Sequence, residues 1–342
     1  MKNFYKNKKI LITGHTGFKG SWLCLWLKHM GSDVLGISNK NYQNSDHFNQ
    51  LKLNIKTKYI DIRDKKKIHK IINLFKPDII FHLAAQSLVK KGHQNPFLTF
   101  DTNVNGTLNV LDSVKDFSKK IIIINVTTDK CYKNNISKKA FREDDKLGGD
   151  DPYSSSKVLS ELLTTSYQEI YKNKKIYIAS ARCGNVIGGG DWSEDRIIPD
   201  LVNSITKNKT LKVRGFKNVR PWLHVLDSLR GYLILAKTIY AKPKLLGAYN
   251  FSPEEINKTV SVGKIIDIFS QKWKKVKIKK VDKAFFEHNY LKLNSLKAKE
   301  KFGWKPLYST NEAIHSTIEW YKENENEKKN ISKIQLIKYL NL

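Results

Sequence analysis

A hydroxyl, an acid and a base follow one another directly after a β-branched run. The apolar stretch IIIINV (residues 121–126) precedes Thr128, Asp129 and Lys130 by only one residue. In parallel α/β sheets, active sites form at the carboxyl ends of the strands. An acid and a base placed there can protonate a departing hydroxyl and remove a proton from carbon. Asp129 and Lys130 are therefore candidate catalytic residues, although a strand cap or an exposed ion pair would give the same letters.

Tyr153 and Lys157 form a second reactive pair, with the spacing of one helical turn in YSSSK. Residues four apart face the same side of a helix. A lysine ammonium near a phenol favours the phenolate and so lowers the phenol pKa. Such a tyrosine can take a hydroxyl proton while hydride leaves the same carbon for a nicotinamide ring. Alone, the pair is more typical of a surface helix, but its position after a glycine-rich motif favours catalysis.

These residues need a scaffold, and the first half of the chain alternates strand-like and helix-like segments. Such alternation predicts an α/β fold of Rossmann type, with a doubly wound parallel sheet and helices on both faces. We expect residues 1–187 to form this domain with the catalytic residues. Residues 188–342 are expected to form mainly a smaller mixed α/β lobe, with segments that return to the first domain. The predicted strands are 8–14, 33–38, 77–85, 120–128 and 175–188, and the predicted helices are 18–31, 67–76, 102–117 and 153–171.

Three glycines, Gly14, Gly17 and Gly20, lie between the first strand and the first long helix. The first permits a tight turn, the second lets a pyrophosphate approach the backbone, and the third allows close packing of helix on strand. The phosphates then lie at the helix amino terminus, where free N–H groups favour an anion. This context predicts dinucleotide binding.

The spacing GxxGxxG resembles the short-chain dehydrogenase/reductase superfamily. That resemblance implies cofactor contacts from the turn, from DIRD near adenine, from HLAA beneath the ribose and nicotinamide, and from NVNGT. Tyr153 and Lys157 would contact the cofactor as well. The implied residues are Gly14, Thr16, Gly17, Phe18, Lys19, Gly20, Asp61, Ile62, Leu83, Ala84, Ala85 and Asn103.

The end of the second strand leaves the choice of cofactor open. An acidic residue there would bind the adenosine ribose, but this chain has Ser38, Asn39 and Lys40. By charge alone, Lys40 favours the 2′-phosphate of NADP. The family resemblance described next implies NAD, and NAD is the cofactor that we expect.

In the superfamily, the residue at the position of Thr128 binds the substrate hydroxyl. An extra acid and base beside it suit sugar-nucleotide 4,6-dehydration: once carbon-4 is a ketone, the carbon-5 proton is acidic and the carbon-6 hydroxyl can leave as water. The chain resembles the CDP-glucose 4,6-dehydratase family over nearly its whole length. The motifs that carry the resemblance are ILITGHTGFKGSWL, TTDKCYKN, REDDKLGGDDPYSSSK, ARCGNVIGGGDWSEDRIIPD and RPWLHVLDSLRGYL.

The resemblance implies a role for each matching residue. Asp129 would be the acid for the carbon-6 hydroxyl and Lys130 the base at carbon-5, where dTDP-sugar enzymes have Glu. Tyr153 would be the carbon-4 base, with Lys157 tuning it and holding the nicotinamide ribose. The substrate would be CDP-glucose, bound by Gln86, Asn185, Arg196, Arg214 and Arg220. Guanidinium groups suit a diphosphate because they form paired hydrogen bonds to its oxygens.

Other functions stay open at this point. A related enzyme would act on a GDP-, UDP- or dTDP-sugar or would be a 4-epimerase, although epimerisation needs no acid for carbon-6. A different class, a nucleic-acid-binding or scaffold protein, is suggested by the net charge of +30,. The lysines are spread along the chain without interleaved aromatic residues, so we expect no nucleic-acid partner.

Three cysteines without metal-ligand spacing predict no metal site and a reducing, cytoplasmic setting,. The amino terminus shows no signal-peptide pattern, and no apolar run predicts a membrane span. A homodimer follows from the family resemblance.

Overall fold

A computed structural model describes residues 1–40, 46–133, 139–253, 260–282 and 290–342. Asn134, the last residue of the TTDKCYKN motif, lies outside the described residues. The strands are β1 Lys9–Thr13, β2 Asp33–Ser38, β3 Lys56–Tyr59, β4 Ile79–His82, β5 Ile121–Val126, β6 Ile176–Cys183, β7 Val186–Ile187, β8 Leu211–Val213, β9 Val219–Arg220, β10 Leu223–His224, β11 Gly247–Phe251, β12 Val260–Ser261 and β13 Ile278–Lys280.

The helices alternate with the strands in the first half and dominate the carboxyl-terminal part. They are α1 Lys2–Tyr5, α2 Phe18–His29, α3 Asp46–Leu51, α4 Lys65–Phe75, α5 Val89–Gln94, α6 Pro96–Phe100, α7 Gly106–Asp112, α8 Pro152–Ile170, α9 Ile197–Thr206, α10 Val225–Ala241, α11 Val262–Lys272, α12 Leu296–Phe302, α13 Thr310–Lys322 and α14 Lys328–Leu340. None of the helices in the described part of the chain is both long and apolar enough to span a membrane.

Seven parallel strands form the central sheet, in the order β11-β6-β5-β4-β1-β2-β3. The predicted doubly wound α/β sheet is confirmed. Because β1 and β4 are neighbours although β2 and β3 lie between them in the chain, the strand order reverses there. Ligands of such sheets bind at this reversal, outside the carboxyl ends of the strands.

Two strands of this sheet were not predicted from the sequence. The edge strand β3 has the sequence KTKY and is largely exposed, so it lacks the apolar alternation that marks a buried strand,. The other edge strand, β11, comes from the second half of the chain and pairs with β6. Helix α10 also packs on β5 and β6. Segments after residue 188 therefore cover and extend the first-half sheet.

Each face of the sheet has its own apolar core. One core joins α2, α10 and the carboxyl-terminal helices, and includes Trp22, Trp26, Trp304 and Trp320, all buried. The other packs α4, α7 and α8 against the opposite face. The strand β5 is buried along its whole length, which explains its run of isoleucines and fixes the position of the residues that follow it,.

Candidate active site

A cleft of about 910 Å³ runs along the carboxyl ends of β1, β2, β4, β5 and β6. It has three parts. The cofactor end is formed by the glycine turn and the ends of β2 and β4, together with residues 60–63. The catalytic centre is formed by residues 127–130 and by α8. The substrate end is formed by residues 185–200 and 212–220.

At the cofactor end, the glycines are required by close backbone contacts. Gly14 has a φ of 75°, and a Cβ there would lie 2.8 Å from the amide nitrogen of Ala84. A Cβ on Gly20 would lie 2.1 Å from the carbonyl oxygen of Gly14. Helix α2 begins after Gly17, and no side chain caps its first turn. The free N–H groups of that turn therefore suit a pyrophosphate, and the residues present fit a dinucleotide.

On the adenosine side of this end, the charged side chains are paired with one another. Asn39 Nδ2 donates to the carboxylate of Asp61 (2.9 Å), and the Arg63 guanidinium donates to the same carboxylate (2.8 Å). These hydrogen bonds, led by that of Arg63, hold the Asp61 pKa below its usual range despite burial. Arg63 also pairs with Asp101. Lys40 is exposed and is not part of the cleft lining, so the charge predicted to attract a 2′-phosphate lies elsewhere.

Tyr153 and Lys157 lie in the first turns of α8, and the start of that helix is fixed by its sequence. Asp151 caps it by accepting from the backbone of Tyr153 and Ser154, and the Ser154 hydroxyl completes a capping box. Pro152 fits the first turn because its missing N–H would be unpaired there. Both reactive side chains are buried and line the cleft, as predicted.

The electrostatics of this pair differ from the prediction. Burial raises the pKa of Tyr153 to about 12, and a Thr128 hydrogen bond offsets this in part. Lys157 is not among the principal causes. Its ammonium donates to the carbonyl oxygen of Val126 (3.1 Å), and burial lowers its pKa to about 8. Burial therefore has the larger effect on the Tyr153 pKa in this structure, and the predicted lowering by Lys157 stays a prediction.

Thr128, Asp129 and Lys130 lie where β5 ends, with Thr128 as the cap of a single 3₁₀ turn. The Thr128 hydroxyl donates to Asp129 Oδ1 (3.1 Å). Burial raises the pKa of Asp129, with Lys130 as the largest opposing influence. The other oxygen, Oδ2, is buried and has no hydrogen-bond partner among the described residues. A carboxyl group in this setting favours the protonated form, which is what a general acid requires.

Behind the centre, a buried ion pair fixes β5, β6 and α8 relative to one another. Arg182 on β6 donates to Glu161 on α8 (2.9 Å), and both side chains are almost fully buried. Glu161 also accepts from the hydroxyl of Thr127. Arg182 contacts the Tyr132 hydroxyl at 2.8 Å as well. This network was not predicted from the sequence, because its members come from the segment after β5, from α8 and from β6.

At the substrate end, the cleft is lined by Arg196, which directly precedes α9, and by Arg220 on β9. Arg196 pairs with Asp191 (3.1 Å) and reaches Ser87 (3.4 Å). Its charge also lowers the Tyr153 pKa. Arg220 is buried, donates to the carbonyl oxygen of Val219 (2.9 Å), and lowers the Asp129 pKa. Both arginines therefore act on the catalytic centre as well as on its surroundings.

Arg214 completes this end together with residues that sequence reasoning missed. Asp195, which has a φ of 58°, pairs with Lys90 (3.1 Å) and Arg214 (3.6 Å). Lys90 belongs to α5, which follows β4 in the first half of the chain. The three charges therefore connect the two sides of the cleft, and no local motif signals this.

Nearly all the residues predicted for the site line the cleft, including Asn185 and Leu83. Two do not. Thr16 is buried and its hydroxyl bonds Ser38 Oγ (2.7 Å). Asn103 is buried and connects the backbone of Gln86 to Ser156 on α8. Both side chains face inward and hold cleft-lining segments in place, and the predicted cofactor contacts of these two residues stay predictions.

Gln86 lines the cleft but has a local role. Its amide nitrogen donates to Leu88 O and Thr99 Oγ1, and its amide oxygen accepts from the Leu88 backbone. Both amide hydrogens are used inside the protein. The structure therefore favours a positioning role over the predicted substrate contact.

Lys19, which was predicted as a cofactor contact in the glycine turn, also lies close enough to the catalytic centre to act on it. Its ammonium donates to the Tyr232 hydroxyl (3.1 Å), and burial lowers its pKa. Its charge also lowers the Asp129 pKa. Neither the long helix that carries Tyr232 nor its contact with the glycine turn was predicted from the sequence.

Comparisons with known proteins agree with this geometry. The family model described as GDP-mannose 4,6 dehydratase matches residues 11–317. The chain is 39% identical over 333 residues to the CDP-glucose 4,6-dehydratase of Salmonella typhimurium, covering 94% of this chain and 92% of that protein.

Two solved structures share the fold. A dTDP-glucose 4,6-dehydratase from Streptomyces venezuelae with NAD bound has a TM-score of 0.82 at 23% identity, over 94% of this chain and 99% of that one. A UDP-glucose 4-epimerase from Stenotrophomonas maltophila, also with NAD bound, has a TM-score of 0.82 at 19% identity, over 92% and 98%.

Proposed function

Because the chain belongs to the GDP-mannose 4,6-dehydratase family, we propose that it is an NAD-dependent CDP-glucose 4,6-dehydratase. The product is CDP-4-keto-6-deoxyglucose, and water is released. The observation that best supports this function is that one cleft is lined by Thr128, Asp129, Lys130, Tyr153 and Lys157 together with the glycine turn. The 39% identity to a CDP-glucose enzyme supports the choice of substrate.

The cofactor end supports NAD as the cofactor. The first turn of α2 and Lys157 would hold the pyrophosphate and the nicotinamide ribose. Arg63 is paired with acids and Lys40 does not line the cleft, so neither favours a 2′-phosphate. When bound, NAD would supply the hydride acceptor for carbon-4 of the sugar and the hydride donor for carbon-6.

The protein side chains move the protons. Tyr153, which shares a hydrogen bond with Thr128, takes the proton of the carbon-4 hydroxyl,. Lys130 removes the carbon-5 proton, and Asp129 protonates the carbon-6 hydroxyl, which leaves as water. Lys130 then returns its proton to carbon-5, and the proton held by Tyr153 balances the one that Asp129 gave.

The direct test of the reaction is mass spectrometry of the purified protein with NAD and, separately, CDP-glucose, dTDP-glucose, UDP-glucose and GDP-mannose. We expect the mass of one water to be lost from CDP-glucose. Water loss only from another sugar would keep the reaction and change the substrate. No loss from any of the four would reject dehydration, and 4-epimerase assays would follow.

The role of Lys130 has a matched control in the exposed Lys133, three residues along the chain. Lys130→Met should slow water release by about a hundredfold or more, because the carbon-5 base is missing. Carbon-4 oxidation should persist, so reduced cofactor accumulates. Lys133→Met should behave like the parent. Full activity of Lys130→Met would show that another group removes the proton.

The homodimer expected from the family has a candidate interface on α6 and α8. Five large apolar side chains there are exposed: Phe97 (80%), Leu98 (36%), Leu159 (40%), Leu162 (50%) and Ile170 (61%). An apolar surface of this kind is typical of helix–helix association. Light scattering should give the mass of a dimer, and Leu162→Glu should give a monomer.

We also propose a cytoplasmic location and a role in deoxysugar synthesis for surface polysaccharide. All three cysteines are free and buried, which suits a reducing compartment,. Cell fractionation with an antibody against the chain tests the location, and loss of deoxysugar from the polysaccharide of a deletion strain tests the role.

A further inference from the structure

One part of the cleft has no role in the reaction described above. It is formed by Asp200 on α9, by Lys212 and Arg214 on and after β8, and by Asn218. The glycine turn takes the cofactor, the end of β5 takes the sugar, and Arg196 with Arg220 flanks the diphosphate. Provided that the proposed function holds, this part is where the base of the nucleotide sugar lies.

Asp200 differs from Asp191 and Asp195, the two other aspartates that line this end. Its side chain is half-buried and lines the cleft. Asp191 is paired with Arg196, and Asp195 is paired with Lys90 and Arg214. Within the described residues, the Asp200 carboxylate makes no hydrogen bond or ion pair, and only its backbone is bonded to Arg196 and Ser204. It is therefore an acceptor in need of a donor.

The pyrimidines differ at the position that such an acceptor can distinguish. Cytosine carries an exocyclic amino group, a hydrogen-bond donor that Asp or Glu accepts from, whereas thymine carries a carbonyl oxygen there, and uracil is the same in this respect. A carboxylate attracts the amino group and repels the carbonyl oxygen. We propose that Asp200 accepts a hydrogen bond from the cytosine amino group and so makes the enzyme prefer CDP-glucose to UDP-glucose and dTDP-glucose.

The ionisation of Asp200 is consistent with this role. Burial, followed by Asp195, raises its pKa to about 6, with a smaller contribution from Glu194, while Arg214 and Lys90 act in the opposite direction. The carboxylate is thus charged at neutral pH, but its charged form is destabilised because burial removes part of its hydration. A donor from the base would stabilise the charged form, whereas a carbonyl oxygen would not.

The test is calorimetric titration of the full chain with CDP and, separately, UDP, because binding of the free nucleotides does not require turnover. The parent should bind CDP more tightly. Asp200→Asn should lower the CDP:UDP affinity ratio by about ten- to a hundredfold, since the amide can accept from cytosine or donate to uracil. Asp195→Asn is the matched control: it removes a carboxylate from the same end, and it should change both affinities by the same factor.

An unchanged CDP:UDP ratio in a folded Asp200→Asn protein would overturn the assignment. Circular dichroism and thermal unfolding establish folding, and Asp200→Glu provides a second variant that keeps the acceptor. The proposed reaction can fail separately. A parent that prefers CDP in titration but releases no water from CDP-glucose would keep Asp200 as the base-reading residue and would reject the dehydratase activity.

Discussion

The two ends of the cleft are built in different ways. At the cofactor end, the turn between β1 and α2 is fixed by close backbone contacts, that of Gly14 with Ala84 and that of Gly20 with Gly14. At the substrate end, charged side chains from distant segments meet, as with Lys90 and Asp195, which are 105 residues apart. We expect an added methyl group in the glycine turn to weaken cofactor binding strongly, whereas loss of one charge at the substrate end should weaken substrate binding by a smaller factor. The catalytic centre lies between them and depends on both.

The largest effect is expected at the centre. Tyr153→Phe removes the carbon-4 base and keeps the ring, so kcat should fall by about 10²–10⁴ with little change in stability. Stopped-flow measurement of cofactor reduction checks this. A fall of less than tenfold would mean that another group takes the hydroxyl proton.

Gly20→Ala tests the rigidity of the cofactor end. The added methyl group meets the Gly14 carbonyl oxygen, a backbone atom that cannot move aside. We expect a loss of about 1–3 kcal/mol in the free energy of unfolding and weaker NAD binding, measured by denaturation and by titration.

Gly148→Ala is the control for that substitution, because its methyl group comes closest to Cδ of the flexible Lys133 side chain (2.9 Å) and no nearer than 3.6 Å to a backbone atom. We expect the Gly148→Ala protein to bind NAD with the same affinity as the parent. Equal losses in both variants would remove the contrast between a backbone site and an ordinary turn.

The cofactor end also shows what the sequence could predict. The strand–glycine–helix pattern is local, so β1, α2 and the roles of Gly14 and Gly20 followed from spacing alone. Spacing does not determine whether a side chain points into the cleft or behind it, and the Thr16 and Asn103 side chains lie behind it. The edge strand β3 was missed because KTKY lies on an exposed edge and carries no apolar pattern.

The substrate end was predicted only through family motifs. The arginines could be named, but their partners Asp191, Asp195 and Lys90 depend on the tertiary fold. The same holds for the buried pair of Glu161 and Arg182, in which two charges stabilise each other only after the sheet has formed,.

Arg196→Gln tests the gradual behaviour of the substrate end. Loss of the guanidinium removes positive charge beside the diphosphate, and KM for CDP-glucose should rise about tenfold. Added salt should weaken the parent more than the variant. The exposed Arg142 offers a matched control, Arg142→Gln, with an unchanged KM. A KM that stays constant in Arg196→Gln would place the diphosphate elsewhere.

The smallest effect is a pH dependence of base preference. Because the Asp200 pKa is raised to about 6, its carboxylate is charged at pH values well above 6 and is protonated below. Asp195, Glu194, Arg214 and Lys90 surround it and shift the midpoint. The CDP:UDP affinity ratio should therefore fall several-fold as the pH is lowered through 6. The ratio should be constant with pH in Asp200→Asn; a parent ratio that is equally constant would contradict the role of the carboxylate.

The most direct test of the whole account follows a single hydride. CDP-glucose carrying deuterium at carbon-4 would be incubated with the enzyme and NAD, and the product would be analysed by mass spectrometry and NMR. We predict a product that has lost one water and carries the deuterium at carbon-6, since hydride leaves and returns within one cleft. Deuterium remaining at carbon-4 without water loss, or absent from carbon-6 in a dehydrated product, would contradict the proposed reaction.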